Sequence, residues 1–220
     1  MATFSDTERD AIAAAVTAAE AGTDGEIVTI VARQSDAYHD VALHYALAAV
    51  LAVTALGAIR PDWLTPFDNG WEHEPSIHGL LFTLLIAQTF AFLAVRLLLA
   101  YRPLRLALTP TATKARRVRR RALEAFRVGT EQRTAGHEGV LLYLSLDEHR
   151  AEIVADAAVH TRVAPERWGK AMATLVSAIR AGRTAEGLAG AVTAIGAVLA
   201  EVLPKTDDNP NELPDRVIEL

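Results

Sequence analysis

Two stretches of this chain carry apolar residues on every face of the helix they would form. Residues 41–59, VALHYALAAVLAVTALGAI, contain no Asp, Glu, Lys or Arg, and residues 77–100, IHGLLFTLLIAQTFAFLAVRLLLA, contain Arg96 as their one formal charge. A helix of 19 residues rises about 28 Å, close to the hydrocarbon thickness of a bilayer. Arg96 lies near the end of its block, where a long side chain snorkels to the headgroups. The alternative is a pair of buried core helices, but such helices rarely run so far without a polar face. The pattern therefore predicts a transmembrane hairpin over residues 41–100, with spans at 41–59 and 77–100 and a connecting loop at 60–76. Gln88 and Thr89, inside the second span, are suited to a hydrogen bond with the first helix rather than to transport.

Outside these blocks the patterning is that of a small α/β domain. Ser5 and Glu8 form an S-x-x-E capping box, followed by apolar Ile12, Ala15, Val16 and Ala19 at i, i+3, i+4 and i+7. Gly22 is placed to end that helix. EIVTIVA at 26–32 is short and rich in β-branched residues, which predicts a strand. Thr109 and Pro110 read as N-cap and N1 of a helix reaching Val128, with Val118, Ala122, Ala125 and Phe126 on its buried side. GVLLYLSL at 139–146 and AEIVAD at 151–156 flank the polar turn Asp147-Glu148-His149-Arg150, which predicts a hairpin. Pro165 opens a helix with Trp168, Met172, Leu175, Val176 and Ile179 on one stripe, stopped by Gly182. Thr184 caps a last helix bearing Leu188, Val192, Ile195, Leu199 and Val202, ended by Pro204. Residues 205–220 read as a polar tail, disordered apart from a few final residues. Residues 1–40 hold one helix and one strand, too little to bury a core, so that strand needs a mate elsewhere. The mate is expected within residues 101–204, making the two parts one split domain interrupted by the hairpin.

Composition and charge sharpen the membrane reading. The chain is 51% hydrophobic and 22% charged over 220 residues, and the excess sits in the two apolar blocks. With no cysteine, disulfides, thiolate metal sites and cysteine nucleophiles are excluded together. The amino terminus, MATFSDTERDA, has neither the basic start nor the apolar core of a cleaved signal. Asp62, Asp68, Glu72 and Glu74 in the loop oppose a single Arg60, whereas residues 96–133 hold 11 of the 22 basic residues. The positive-inside rule then places both termini in the cytoplasm. Trp63, Phe67 and Trp71 suit the interfacial aromatic belt. The run containing Lys114, Arg116, Arg117, Arg119, Arg120 and Arg121 begins about 14 residues after the second span, which favours anionic lipid, at about 1 kcal/mol per residue, over nucleic acid.

The strand GVLLYLSL, its charged turn and AEIVAD, followed by the Trp168 helix, an Arg-Ala-Gly-Arg turn and the Leu188 helix, resemble the TPM-domain family. Residues 25–31 match that family's first strand, 121–129 its helix and 139–146 its G-V-L-L strand. The resemblance implies an α/β fold, a small mixed β-sheet flanked by helices, here with an inserted two-helix transmembrane hairpin. It implies function weakly, since relatives are linked to phosphatase activity, divalent-metal binding, photosystem maintenance and receptor modulation.

Candidate chemistry is sparse. Asp24, Glu26, Asp147, Glu148 and Asp156 lie at strand ends, where oxygen ligands could converge on Ca or Mg, with ordinary turn and rim carboxylates as the alternative. The seven histidines, His39, His44, His73, His78, His137, His149 and His160, show no H-E-x-x-H pairing for zinc. Ser145 and His149 are near in sequence, but no G-x-S-x-G elbow supports a nucleophile. The expected function is a membrane-anchored accessory or interaction domain of a bacterial inner membrane, without cofactor or catalytic site. Its partners are the lipid bilayer and other membrane or envelope proteins, not nucleic acid. A metal-dependent phosphatase and an oligomeric membrane channel are the alternatives.

Overall fold

The computed structural model describes residues 4–64, 77–129, 138–206, 213 and 215–220. Cα proximity divides the chain into two compact units, Met1–Asp36 with Thr111–Leu220, and Ala37–Pro110.

The first unit is built on two strands that are buried along their whole length, β1 (Glu26–Ala32) and β2 (Gly139–Ser145). Runs such as EIVTIVA and GVLLYLS have apolar side chains for both faces of a sheet, the signature of parallel strands covered on each side. They pair in parallel from Glu26↔Gly139 to Ala32↔Ser145. The strand before the apolar blocks thus finds its mate after them. β3 (Arg150–Ala155) adds antiparallel to β2, and the order across the sheet is β3-β2-β1-β4, with β4 at Ile218–Glu219. Successive side chains point to opposite faces. Ile27, Val31, Val140, Leu142 and Leu144 meet the helical layer of α1 (Asp6–Glu20), α7 (Gly169–Arg180) and α8 (Thr184–Val202). Val28, Ile30, Leu141 and Tyr143 meet Val118, Ala122 and Phe126 of α5 (Thr111–Gly129). The result is a mixed four-stranded sheet between helices.

The capping box forms as the sequence implies: Ser5 caps α1, and Ser5 N–H donates to Glu8 Oε2 at 2.8 Å. Gly182, at φ +73°, ends α7 in the left-handed conformation that glycine tolerates best. Gly196 lets α8 approach α1, since a Cβ there would lie 2.5 Å from that of Ala19.

Several local expectations are corrected. Thr109 closes a short helix, α4 (Arg102–Leu108), its hydroxyl donating to Arg105 O at 2.8 Å, and α5 starts two residues later. A capping hydroxyl can serve the helix behind it as well as the one ahead, and the sequence does not say which. Pro165 opens a 3-10 turn, Pro165–Trp168, before α7. A one-turn helix, α6 (Ala157–His160), precedes it. Thr184 is the first residue of α8, and Arg183 holds the cap position. The tail beyond Pro204 is less polar in its packing than in its composition: Leu213 and Val217 are buried, and β4 pairs in parallel with Ile30 and Val31.

The second unit contains α2 (His39–Ile59) and α3 (Ile77–Leu98), which pack along each other, with Gln88 Nε2 donating to Thr54 Oγ1 at 2.7 Å. Both are long and apolar enough to cross a membrane. α3 buries none of its residues, and Leu81, Phe82, Leu85, Phe90 and Leu93 are exposed. Arg105 of α4 turns back to donate to Leu99 O at 2.8 Å, satisfying a carbonyl at the end of α3. α8 also has the length and hydropathy of a span, yet its Leu188, Val192, Ile195 and Leu199 are wholly buried in the sheet's core. Trp63 sits exposed in a 3-10 turn, Pro61–Leu64; Phe67, Asp68, Trp71, Glu72 and Glu74 lie outside the described residues, as do His73, Arg133 and His137.

Candidate functional site at the carboxyl end of the sheet

In open α/β sheets, ligands collect beyond the carboxyl ends of parallel strands. Here that end is formed by the chain leaving β1, residues 33–36, and by the β2–β3 turn, residues 146–149. Leu146 and Asp147 N–H groups donate to Ala32 and Arg33 carbonyls, both at 3.0 Å, so the parallel pairing continues past the strands. His149 adopts φ 50°, a left-handed residue that turns the chain into β3, and its side chain is exposed.

That geometry folds Glu148 inward. Its Oε1 accepts from Ser35 N–H at 3.0 Å and its Oε2 from the Ser145 hydroxyl at 2.5 Å. The Ser35 hydroxyl donates to Ser145 Oγ at 2.8 Å and lies 3.1 Å from the Tyr143 hydroxyl. Ser145, Tyr143 and Glu148 are buried. Burial is the main cause that raises the Tyr143 hydroxyl above its ordinary pKa, keeping it protonated at neutral pH. Beside this network Asp36 accepts from Arg117 at 2.7 Å and from Arg120 at 3.2 Å, which docks the basic helix on the chain leaving β1. Ser145 therefore bonds to Glu148 rather than to His149. A buried serine beside a carboxylate, with no described imidazole bonded to it, can order two loops and hold a polar pocket; it lacks the base–orienter arrangement of a nucleophile.

The amino end of the sheet holds the other acidic residues. Asp24 accepts from Thr206 N–H at 2.9 Å and Thr206 Oγ1 at 2.6 Å, and the Thr206 hydroxyl first, then its N–H, hold the Asp24 carboxyl below its ordinary pKa. Glu26 Oε2 accepts from Leu213 N–H at 3.3 Å, and Asp156 Oδ2 from Gly139 N–H at 3.1 Å. The five sequence-predicted carboxylates thus fall into two sets, Asp24, Glu26 and Asp156 at one end and Asp147 and Glu148 at the other. Seven strand residues separate the ends, about 23 Å. Among the described residues no three His, Asp or Glu side chains are grouped to hold a metal ion.

Residues 104–198 match the family model for the TPM domain. Over these residues the chain is similar to the TPM domain. The match runs from α4 through most of α8, so it includes β2, the charged turn, β3 and the basic helix, and leaves out β1 and the apolar pair. A solved structure with the same fold is the NMR structure of the BA42 protein from the psychrophilic bacterium Bizionia argentinensis, at 16% identity and a TM-score of 0.58, covering 100% of this chain and 97% of that one. No curated protein matches the sequence.

Within residues 104–198 the basic run occupies one face of α5. Arg116, Arg119, Arg120 and Arg121 are exposed, while Lys114 and Arg117 are half-buried. Part of this charge is used internally: Arg119 pairs with Glu152 at 3.4 Å and Arg121 with Glu124 at 3.4 Å. Ser35 and Tyr143 are the site residues that sequence reasoning missed. Tyr143 looks like one more apolar position of a buried strand, although a phenol in such a run needs a hydroxyl partner and could have prompted a search for one.

A buried carboxyl outside the candidate site has its own consequence. Glu20, at 8% exposure, accepts from Ile27 N–H at 2.6 Å, on the stretch of β1 that the two-residue β4 leaves uncovered. Burial pushes its pKa up to about 8, against the lowering effect of the Ile27 bond and with help from nearby Glu26. The folded state then binds this proton more tightly than the unfolded chain. Its contribution to stability is full below the ordinary carboxylate range, near pH 4.5, and is lost as pH rises through about 8. Glu20→Gln keeps the acceptor and removes the titration. Denaturation of the two proteins is expected to agree near pH 4.5, with the variant more stable by roughly 1–3 kcal/mol at pH 9. Parallel pH profiles would refute this assignment.

Proposed function

We propose that the chain is a membrane-anchored TPM-domain protein of a bacterial inner membrane, acting as an accessory or interaction module that docks envelope proteins or the inner leaflet. The observation that carries the reading is topological. β1 precedes α2 and α3, β2 follows them, and both lie in one sheet. If the chain enters the bilayer there, it must leave on the side from which it came. Two helices of sufficient length, with α3 burying none of its residues, are what such a round trip requires. Lipid is the environment that suits their exposed leucines and phenylalanines. The exposed arginines of α5 favour the cytoplasmic side and the anionic lipid surface there. No resident cofactor is part of this reading.

The reading predicts that the protein stays in the membrane fraction after alkaline carbonate extraction. A reporter active only outside the cytoplasm should give signal when inserted at Asn69 and none at the carboxyl terminus. The opposite reporter pattern would reverse the orientation, and release by carbonate would remove the anchor. Metal-dependent turnover of a phosphate ester by the purified chain, lost in Asp147→Ala or Asp156→Ala, would replace the interaction reading with a phosphatase.

A further inference from the structure

We propose that the outer edge of β3 and the cleft astride it bind an extended polypeptide segment of alternating acidic and aliphatic residues, added as a fifth strand to the sheet. This rests on the interaction reading above and names the surface that would perform it.

The two edges of the sheet differ. On the β1 side, Leu220 N–H donates to Val31 O at 2.9 Å, Arg33 N–H to Leu220 O at 3.3 Å, and Glu20 takes up Ile27 N–H. On the other side β3 is the terminal strand. Asp156 N–H donates to Gly139 O at 2.9 Å, directly across the register, which fixes the phase of the antiparallel ladder. Pairs alternate between hydrogen-bonded and non-bonded, so Arg150, Glu152 and Val154 turn their backbone groups to β2. Ala151, Ile153 and Ala155 turn theirs outward. The central strands are wholly buried, whereas β3 is half-exposed in all but Val154.

A cleft of about 380 Å³ lies along this edge. Arg119 and Leu123 of α5 form its wall on one face of the sheet, His160 and Trp168 form the wall on the other, and Ile153 and Ala155 lie between. Walls drawn from both faces leave a slot that opens on the strand edge. Strands in a sheet are about 4.8 Å apart, so one extended chain fits such a slot. A second copy of this domain would bring its own α5 and Trp168 wall against these, which disfavours edge pairing between copies. Strand addition of this kind takes affinity from the main chain and specificity from alternate side chains.

The walls specify those side chains. Arg119 and His160 are the titratable residues lining the cleft, and no described carboxylate lines it. Arg119 reaches Glu152 at 3.4 Å with both partners on the α5 face; Glu152 is half-buried, but the Arg119 guanidinium is exposed and can also donate to a ligand carboxylate. Trp168 and Leu123 offer apolar surface to aliphatic residues.

The test uses the full chain in detergent micelles with the peptide Ac-Glu-Val-Glu-Val-Glu-NH2 and its lysine counterpart Ac-Lys-Val-Lys-Val-Lys-NH2. Residue-resolved hydrogen exchange should show the amides of Ile153 and Ala155 slowed tenfold or more by the acidic peptide and unaffected by the basic one. Ala155→Pro deletes an outward N–H that carries no ladder bond. It should abolish the protection at Ile153 while leaving the exchange of β1 and β2 unchanged. Arg119→Glu should reverse the preference between peptides. Unchanged exchange, or equal protection by both peptides, would overturn the proposal. Protection that grows with protein concentration and a doubled mass, without peptide, would assign the edge to a second copy and overturn it too. Membrane retention and reporter topology do not depend on the peptide, so failure here leaves the anchoring reading standing or falling on its own tests.

Discussion

Val28→Asp combined with Ile30→Asp is expected to unfold the part of the α/β unit that lies more than 100 positions further along the chain. Both residues are nearly fully buried on the α5 face of β1, against Val118, Ala122 and Phe126. Losing their burial costs about 1.5–3 kcal/mol each, and an unpaired carboxylate placed there costs several more. Against a typical total stability of about 5–15 kcal/mol, the pair is sufficient to undo the fold. Each residue also has a register partner in β2, Val28 opposite Leu141 and Ile30 opposite Tyr143, so the damage cannot stay in the amino-terminal segment. Limited proteolysis of the solubilised variant should cut within residues 139–155, where the unsubstituted chain is protected. Unchanged protection there would mean that the carboxyl-terminal strands fold without β1, and the split domain would be refuted.

The elements that the sequence discloses are those whose own side chains settle their environment. Ser5 and Glu8 need only each other to start α1, and the β-branched run from Ile27 to Val31 fits no helix. The continuous burial of β1 and β2 follows from runs without a polar face, and the missing mate for β1 is an inference from an unsatisfied edge. What stays hidden depends on distant neighbours. Thr109 can serve the helix on either side. Leu213 and Val217 sit among polar residues, and only the uncovered stretch of β1 makes a place for them. Ile218 is too isolated to read as a strand, since two residues carry no period. The candidate site divides the same way. Glu148 and Ser145 were legible as a polar turn beside a buried strand, whereas their joining with Ser35 depends on parallel pairing across more than 100 residues. The acidic residues all lie at strand ends in the sequence; direction of travel along β1 and β2 separates them into two sets.

Glu148→Ala should cost more than its place in a surface turn suggests. The carboxylate is buried and accepts hydrogen bonds from Ser35 N–H and from the Ser145 hydroxyl. Alanine leaves both donors inside the protein without that acceptor, and each orphaned group costs about 1–3 kcal/mol. A loss of roughly 2–5 kcal/mol in denaturant unfolding is expected, with m unchanged if the fold itself survives. Glu148→Gln separates hydrogen bonding from the loss of side-chain volume. Its carbonyl can still accept from Ser35 N–H, while its amide can only donate toward Ser145 Oγ, which must then turn its own proton elsewhere. The glutamine variant should therefore recover about half of the lost stability. Hydrogen exchange should locate the damage at residues 33–36 and 146–149, the two segments the network joins, with β1 and β2 still protected. If both variants match the unsubstituted protein, Glu148 is a solvated turn carboxylate and the buried network does not hold the carboxyl end of the sheet.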